Sequence, residues 1–234
     1  NAKSIFKLRF SEIANELLSL GIDFNCAPVL DIARPTTHRF LRNRCYGVNK
    51  SDVISLGRVA YDALKSNGVF PIIKHMPGHG CASHDSHFEL PVVKASKKEL
   101  LANDFAVFRA FCDAEIAMSA HVLFEAIDPY SAASTSKKLI DIIRNDIKFS
   151  GLLISDDISM AALSGDIKKR TTNLIEAGND VILHCNAKLF EMKEIIDSGV
   201  VPNTLTLFRM ASVIEERKKI EHNKIENLES SQSS

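Results

Sequence analysis

The sequence predicts an α/β fold, a TIM-type (β/α) barrel. Three observations carry this. Apolar stretches alternate strictly between strand-like runs and helical spacing, which demands a parallel sheet with crossover helices. Each strand-like run ends in polar, chemically capable residues, as at the active-site face of parallel α/β folds. No glycine-rich nucleotide fingerprint follows any strand, which favours a barrel over an open dinucleotide-binding sheet. Five strands are predicted against the eight of a closed barrel, so the barrel is expected to be incomplete.

The elements follow in order. Phe6, Phe10, Ile13, Leu17 and Leu20 share one helical face, and Phe24–Leu30 reads as a short buried strand ending at Asp31. Residues 51–67 are predicted helical, opened by Ser51 and Asp52 and stopped by Gly68. Val69–Lys74 is the second strand. Ser96 with Glu99 three positions on is a capping-box pattern that opens a helix over 96–113. Glu115–Ala120 and Gly151–Ser155 are strands, separated by a helix over 136–147. A helix over 168–177 closes at Gly178, Asp180–His184 is the fifth strand, and two helices follow near 187–198 and 204–224. Residues 1–225 are read as one barrel domain. The polar segment 226–234, ending Ser-Ser-Gln-Ser-Ser, is expected to be a disordered tail.

Composition excludes several classes. Lys+Arg and Asp+Glu both number 29, so no basic surface for nucleic acid or anionic membrane is expected. No apolar run has transmembrane length, and the first twenty residues mix charges into an amphipathic pattern unlike a signal peptide. The five cysteines are odd in number and form no Cys-x-x-Cys, which fits a reducing, cytoplasmic setting.

Chemistry concentrates after the strands. Lys74-His75-Met76-Pro77-Gly78-His79-Gly80, running on to Asp85-Ser86-His87, is a long shaped loop, because Pro77, Gly78 and Gly80 forbid a continuing helix. Asp85 and His87 stand two apart, so a tight turn lets the carboxylate hold one ring nitrogen and stabilise the protonated imidazole. Two rivals stand beside this reading. One is a solvated loop with incidental histidines. The other is a metal-dependent hydrolase using His75, His79, Cys81, His84, Asp85 and His87, although Pro77-Gly78 breaks the helix that a His75–His79 metal pair requires. The second motif, Gly151-Leu152-Leu153-Ile154-Ser155-Asp156-Asp157, delivers adjacent carboxylates to a strand end, pointing in different directions. One can face the pocket while the other supports the loop, or both can cap the next segment. A carboxylate fixed there suits attack on an anomeric carbon.

In their order and spacing these segments, with APVLDIA at 27–33, RCYG at 44–47, MSAH at 118–121 and AGNDVILHCN at 177–186, resemble the bacterial β-N-acetylglucosaminidases of glycoside hydrolase family 3, of the cell-wall-recycling type. The resemblance runs to about residue 200. It implies a retaining glycosidase that removes terminal β-N-acetylglucosamine from muropeptide fragments, with no cofactor and no metal. By resemblance Asp156 is the nucleophile, His87 the acid/base and Asp85 its partner. Lys74 and His75 bind sugar hydroxyls, Arg44 contacts the substrate, and Asp31, His184 and Asn186 are supporting residues. Two departures are visible. Leu41-Arg42-Asn43 precedes Arg44 where similar enzymes have a glycine and then an acid. The family's early βα units, with an Asp-(Gln/His)-Glu-Gly-Gly motif and a substrate-binding aspartate, have no counterpart here. The non-enzymatic rival is a degenerate sugar-binding barrel that keeps the motifs but has lost the front of its pocket.

Overall fold

Helix and strand signals act locally, and most of them are honoured in the computed structural model. It describes residues 2–82 and 84–232, and of 220–232 the backbone alone. The elements are α1 (Ala2–Ser19), β1 (Phe24–Asn25), α2 (Arg39–Arg42), α3 (Lys50–Ser66), β2 (Phe70–Met76), β3 (Val92–Val93), α4 (Lys97–Ala102), α5 (Asp104–Arg109), β4 (Ile116–Ser119), β5 (Leu123–Phe124), a 3-10 turn at Ala133–Thr135, α6 (Lys137–Asn145), β6 (Leu152–Asp157), α7 (Ile167–Ala177), β7 (Val181–Leu183), α8 (Leu189–Asp197) and α9 (Thr204–Gln232).

The five expected strands form one parallel sheet in the order β1-β2-β4-β6-β7. Within this sheet each strand lies beside the next of its members along the chain, with Phe24 opposite Phe70, Ile116 opposite Leu152 and Ile154 opposite Val181. The order never reverses, so the sheet has no topological switch point. It curls as a half-barrel. β3 and β5 form a separate two-stranded parallel pair that the sequence pattern did not reveal.

Two apolar layers hold the sheet. The larger packs helices on the convex side and contains Phe105, Phe108, Phe111, Ile143 and Phe149. The smaller lines the concave side with Phe70, Ile72, Ile116, Met118, Leu152 and Ile154, covered by Val213 of α9. Strand alternation carries the concave row onward to Lys74 in β2 and Asp156 in β6. The opposite strand ends are tied by Asp180, which accepts from Arg144 at 2.7 Å, Arg209 at 2.8 Å and Thr206 at 2.9 Å.

Four details differ from expectation. β1 ends at Asn25 because Pro28 has no N–H to continue the ladder; parallel pairing resumes only as a bridge between Val29 and Lys74. α3 is capped by Asn49, whose side chain accepts from the Asp52 N–H at 2.9 Å, ahead of the expected Ser51. The helix expected over 96–113 keeps its Ser96 cap but breaks at Asn103, and the second segment opens on Asp104, whose carboxylate turns inward to Arg34. The segment expected to be disordered from Glu226 continues α9 to Gln232, and Ser233 and Ser234 lie outside the described residues. Good helix formers and the earlier Lys218–Glu215 and Lys219–Glu216 pairs favour the helical form. Among the described residues no helix is long and apolar enough to cross a membrane.

Candidate active site

The rim begins with Asp31, which follows β1 and is almost wholly buried. One of its oxygens binds His75 Nδ1 at 2.7 Å and the other accepts the His79 backbone N–H at 2.6 Å. Burial pushes the Asp31 carboxyl up, but His75 and His79 together hold it below the usual carboxylate range. Asp31 thus fixes both the first histidine of the Lys74–Gly80 loop and the loop's course. His79 is itself buried. Desolvation, with His75 beside it, lowers it to about 4. Its Nε2 lies 3.4 Å from Ser86 Oγ.

The glycines of this loop are required by close approach. A Cβ on Gly80 would stand 2.1 Å from the Ile32 carbonyl oxygen, and one on Gly78 would stand 2.8 Å from the Asp104 Cβ. Asp104 is buried and paired in fork geometry with Arg34, at 2.9 and 2.6 Å. Thr37 donates to the Gly80 carbonyl. These contacts clamp the loop after β1 against the loop after β2.

At the end of β6 the two carboxylates separate. Asp157 is occupied by its own loop: it accepts from the Ser159 N–H and hydroxyl at 3.1 and 2.6 Å and from the Cys185 N–H at 3.2 Å. Among the described residues Asp156 accepts only the Asp157 N–H, at 2.9 Å, and lies among His75, His121 and Lys74. Burial raises its carboxyl. Those three side chains and the backbone N–H outweigh burial and keep it ionised below the ordinary range. His121 is buried, with Nε2 3.1 Å from the Asp157 carbonyl and Nδ1 2.7 Å from Ser134 Oγ. The carbonyl only accepts, so Nε2 carries the proton and Nδ1 takes the Ser134 hydroxyl hydrogen. Burial lowers the pKa of His121.

Asp85 and His87 form the expected pair. His87 Nδ1 is 2.7 Å from Asp85 Oδ1, which also accepts the His87 backbone N–H at 3.0 Å. Burial raises the Asp85 carboxyl, but the His87 hydrogen bonds and charge bring it below its ordinary value. The His87 side chain is 58% exposed and that of Asp85 14%. Ser86 between them is buried, and its carbonyl accepts from the Ala162 N–H at 3.3 Å. The pair therefore projects from an anchored turn.

Arg44 lies over the Phe40 ring at 5.1 Å and donates Nε to the Phe40 carbonyl at 3.1 Å. The same ring meets His87 edge-on at 5.7 Å and His79 at 5.9 Å. The structure therefore brings together Asp156, Lys74 and His75 as one group, and Asp85, His87 and Arg44 as another, linked through Phe40 and His79. Among the described residues no hydrogen bond joins Asp156 to Asp85 or His87.

His184 and Asn186 converge on Glu191, at 2.9 and 2.8 Å, and Lys188 adds a third contact at 3.2 Å. They organise the loop after β7. Bonds to Asn186 and His184 lead in lowering Glu191 to about 2. Of the proposed metal ligands, His75 turns to Asp31, Cys81 to Asp104 and His87 to Asp85. Among the described residues no group of three or more His, Cys, Asp or Glu side chains is arranged to hold a metal ion. Arg34, Asp104, Phe40, Ser134 and Glu191 were not singled out from sequence. The Gly-rich loop signals close approach, but not which residues approach it.

Curled parallel sheets with polar groups gathered at one rim define the barrel class of α/β proteins. Comparison narrows the class: this chain belongs to glycosyl hydrolase family 3, whose N-terminal domain matches residues 7–215. It is 34% identical over 178 residues to a beta-hexosaminidase of Alkalilimnicola ehrlichii, across 74% of this chain and 51% of that one. The chain thus spans about half the length of that curated relative. A family 3 β-N-acetylglucosaminidase from Paenibacillus sp. superposes with a TM-score of 0.87 at 27% identity, covering 94% of this chain and 44% of that one. NagZ from Neisseria gonorrhoeae, solved with N-trifluoroacetyl-D-glucosamine, superposes at 0.80 with 31% identity, covering 90% and 61%.

Proposed function

We propose that the protein is a retaining β-N-acetylhexosaminidase that releases terminal non-reducing β-N-acetylglucosamine, from muropeptide fragments of peptidoglycan in a cytoplasmic setting. The observation that carries the reading is the division between Asp156 and Asp157. One carboxylate is spent on its loop; the other is held ionised beside Lys74 and His75 on the concave side. The sugar-named family 3 relatives support the substrate class.

In the first step an Asp156 oxygen bonds to the anomeric carbon, the glycosidic C–O bond breaks, and the leaving oxygen takes a proton from His87 Nε2. In the second, water attacks the anomeric carbon, gives its proton to His87, and the ester bond to Asp156 breaks. Asp85 holds Nδ1, so Nε2 is the nitrogen left for this transfer. Lys74, His75 and Arg44 contact the substrate. Each of β1 and β7 pairs on one side only among the described residues, and further βα units are proposed to cover those edges and close the barrel.

The test is the anomer formed first. Proton NMR of the reaction with an aryl N-acetyl-β-glucosaminide should show β-N-acetylglucosamine before mutarotation; α product first would overturn the mechanism. The chemistry uses no metal or cofactor, so exhaustive chelation should leave the rate unchanged. Loss restored by zinc would contradict that.

A further inference from the structure

Phe40 occupies a place that neither the nucleophile nor the acid/base pair accounts for. It sits on α2, a single turn of helix between the loops that follow β1 and β2. That turn is anchored. Leu41 is fully buried, the His38 N–H donates to the Ala82 carbonyl at 3.2 Å, and Thr37 donates to the Gly80 carbonyl. The Phe40 ring is half-buried and rests against His38 at 5.3 Å and His79 at 5.9 Å. His79 is itself buried, with its backbone N–H on Asp31. The ring is therefore a fixed surface at an otherwise open rim.

Two groups of the proposed site lean on that surface. The Arg44 guanidinium lies over the ring at 5.1 Å, within cation–π range, and its Nε donates to the Phe40 carbonyl at 3.1 Å. Among the described residues Arg44 pairs with no carboxylate, so its place rests on Phe40 while its terminal nitrogens stay available. His87 meets the same ring edge-on at 5.7 Å, with the planes at 88°. Asp85 holds the imidazole at one ring nitrogen. A single hydrogen bond leaves a side chain that is 58% exposed free to swing about it, whereas a second contact on the ring fixes where Nε2 points.

We propose that Phe40 is a positioning residue for the glycosidase reaction. One aromatic ring sets the place of both the His87 imidazole and the Arg44 guanidinium, and so registers the proton donor against the bound sugar. The inference rests on the hydrolase reading above. A ring placed among His38, Arg44, His79 and His87, rather than in the core, is fitted to that task. Leucine there would fill much of the same space but would offer neither the π face nor the flat edge.

Phe40→Leu and Phe40→Tyr, each alone and with His87→Ala, test this in the intact protein. The first readout is the ratio of kcat/KM on an activated aryl N-acetylglucosaminide to kcat/KM on one with a poor leaving group. Phe40→Leu should raise that ratio about tenfold, because only the poor leaving group needs the proton that a displaced Nε2 delivers badly. Phe40→Tyr keeps the ring and should hold the ratio within about twofold of the unsubstituted protein. With His87 already removed, Phe40→Leu should leave the ratio unchanged. An unmoved ratio in Phe40→Leu, or an equal rise without His87, would overturn the positioning role, since a purely structural loss lowers both substrates together. KM should rise about threefold on both substrates through Arg44, and an unmoved KM would overturn that half of the claim. The second readout needs no turnover. The His87 imidazole protons, identified in the proton NMR spectrum by their loss in His87→Ala, should shift in Phe40→Leu as the ring current is withdrawn; unshifted resonances would overturn the contact. If the unsubstituted protein turns over neither substrate, the hydrolase reading fails, and the spectrum still decides whether Phe40 holds His87.

Discussion

The rim holds two histidine–carboxylate pairs of the same length in opposite surroundings. Asp31–His75 and Asp85–His87 each span 2.7 Å. The first is sealed, its side chains 0% and 6% exposed; the second leaves His87 58% exposed on a turn held by Ser86. The same chemical pair therefore serves different ends. Inside the protein, Asp31 cannot be separated from its partners without leaving buried polar groups unsatisfied, so it acts as a fixture for the loop and for the ground beside Asp156. At the surface, the imidazole stays in contact with solvent protons, which suits a group that must give and regain one in each turnover.

The largest effect expected concerns the residue that the fixture serves. Asp156→Ala should lower kcat on an aryl N-acetylglucosaminide by on the order of a thousandfold or more, whereas Asp157→Ala should act mainly through its loop and cost less. Steady-state kinetics on both variants reads the contrast directly.

The two pairs should then diverge in stability. Asp31→Ala leaves the His75 ring and the His79 N–H unpaired in the interior and should cost about 3 kcal/mol. Asp85→Ala removes a pair open to water and should cost less than about 1 kcal/mol, with its damage seen in rate. Denaturation midpoints would break the comparison if the two variants were equally stable.

A pH dependence follows from His79, lowered to about 4 by burial. The unfolded chain protonates near 6.5 while the folded protein does not, so the unfolded state binds more protons between those values. Stability is full above about 6.5 and falls as the pH drops towards 4, by up to about 3 kcal/mol. Thermal melts across that window should show the fall, and His79→Gln should flatten it.

The exposed pair offers the finest contrast. His87→Ala should slow substrates with poor leaving groups by about a hundredfold and activated aryl substrates far less, because only the former need protonation. Equal losses on both would remove His87 from the acid/base role.

What was legible in the sequence was what short spacing controls. The alternation of apolar runs marked the five strands, Ser96 and Gly178 marked helix ends, and the two-residue step from Asp85 to His87 was sufficient for a tight turn. The adjacency of Asp156 and Asp157 implied divergent side chains. Contacts across long separations were not legible. Arg34 meets Asp104 70 residues on, and Phe40 gathers Arg44, His79 and His87 around one ring, because folding rather than spacing brings them together. The short β1 and the break at Asn103 were hidden for a related reason. A prolyl nitrogen inside an apolar run and a buried carboxylate after a good cap override the periodicity that both segments display.

Trapping the covalent intermediate distinguishes the two carboxylates at the end of β6. The protein would be treated with a fluorinated mechanism-based inactivator of N-acetylglucosaminidases, digested, and the modified residue located by fragment-ion mass spectrometry. A sugar ester is expected on Asp156 and none on Asp157; a label on Asp157, or on no residue of the β6 end, would contradict Asp156 as the nucleophile.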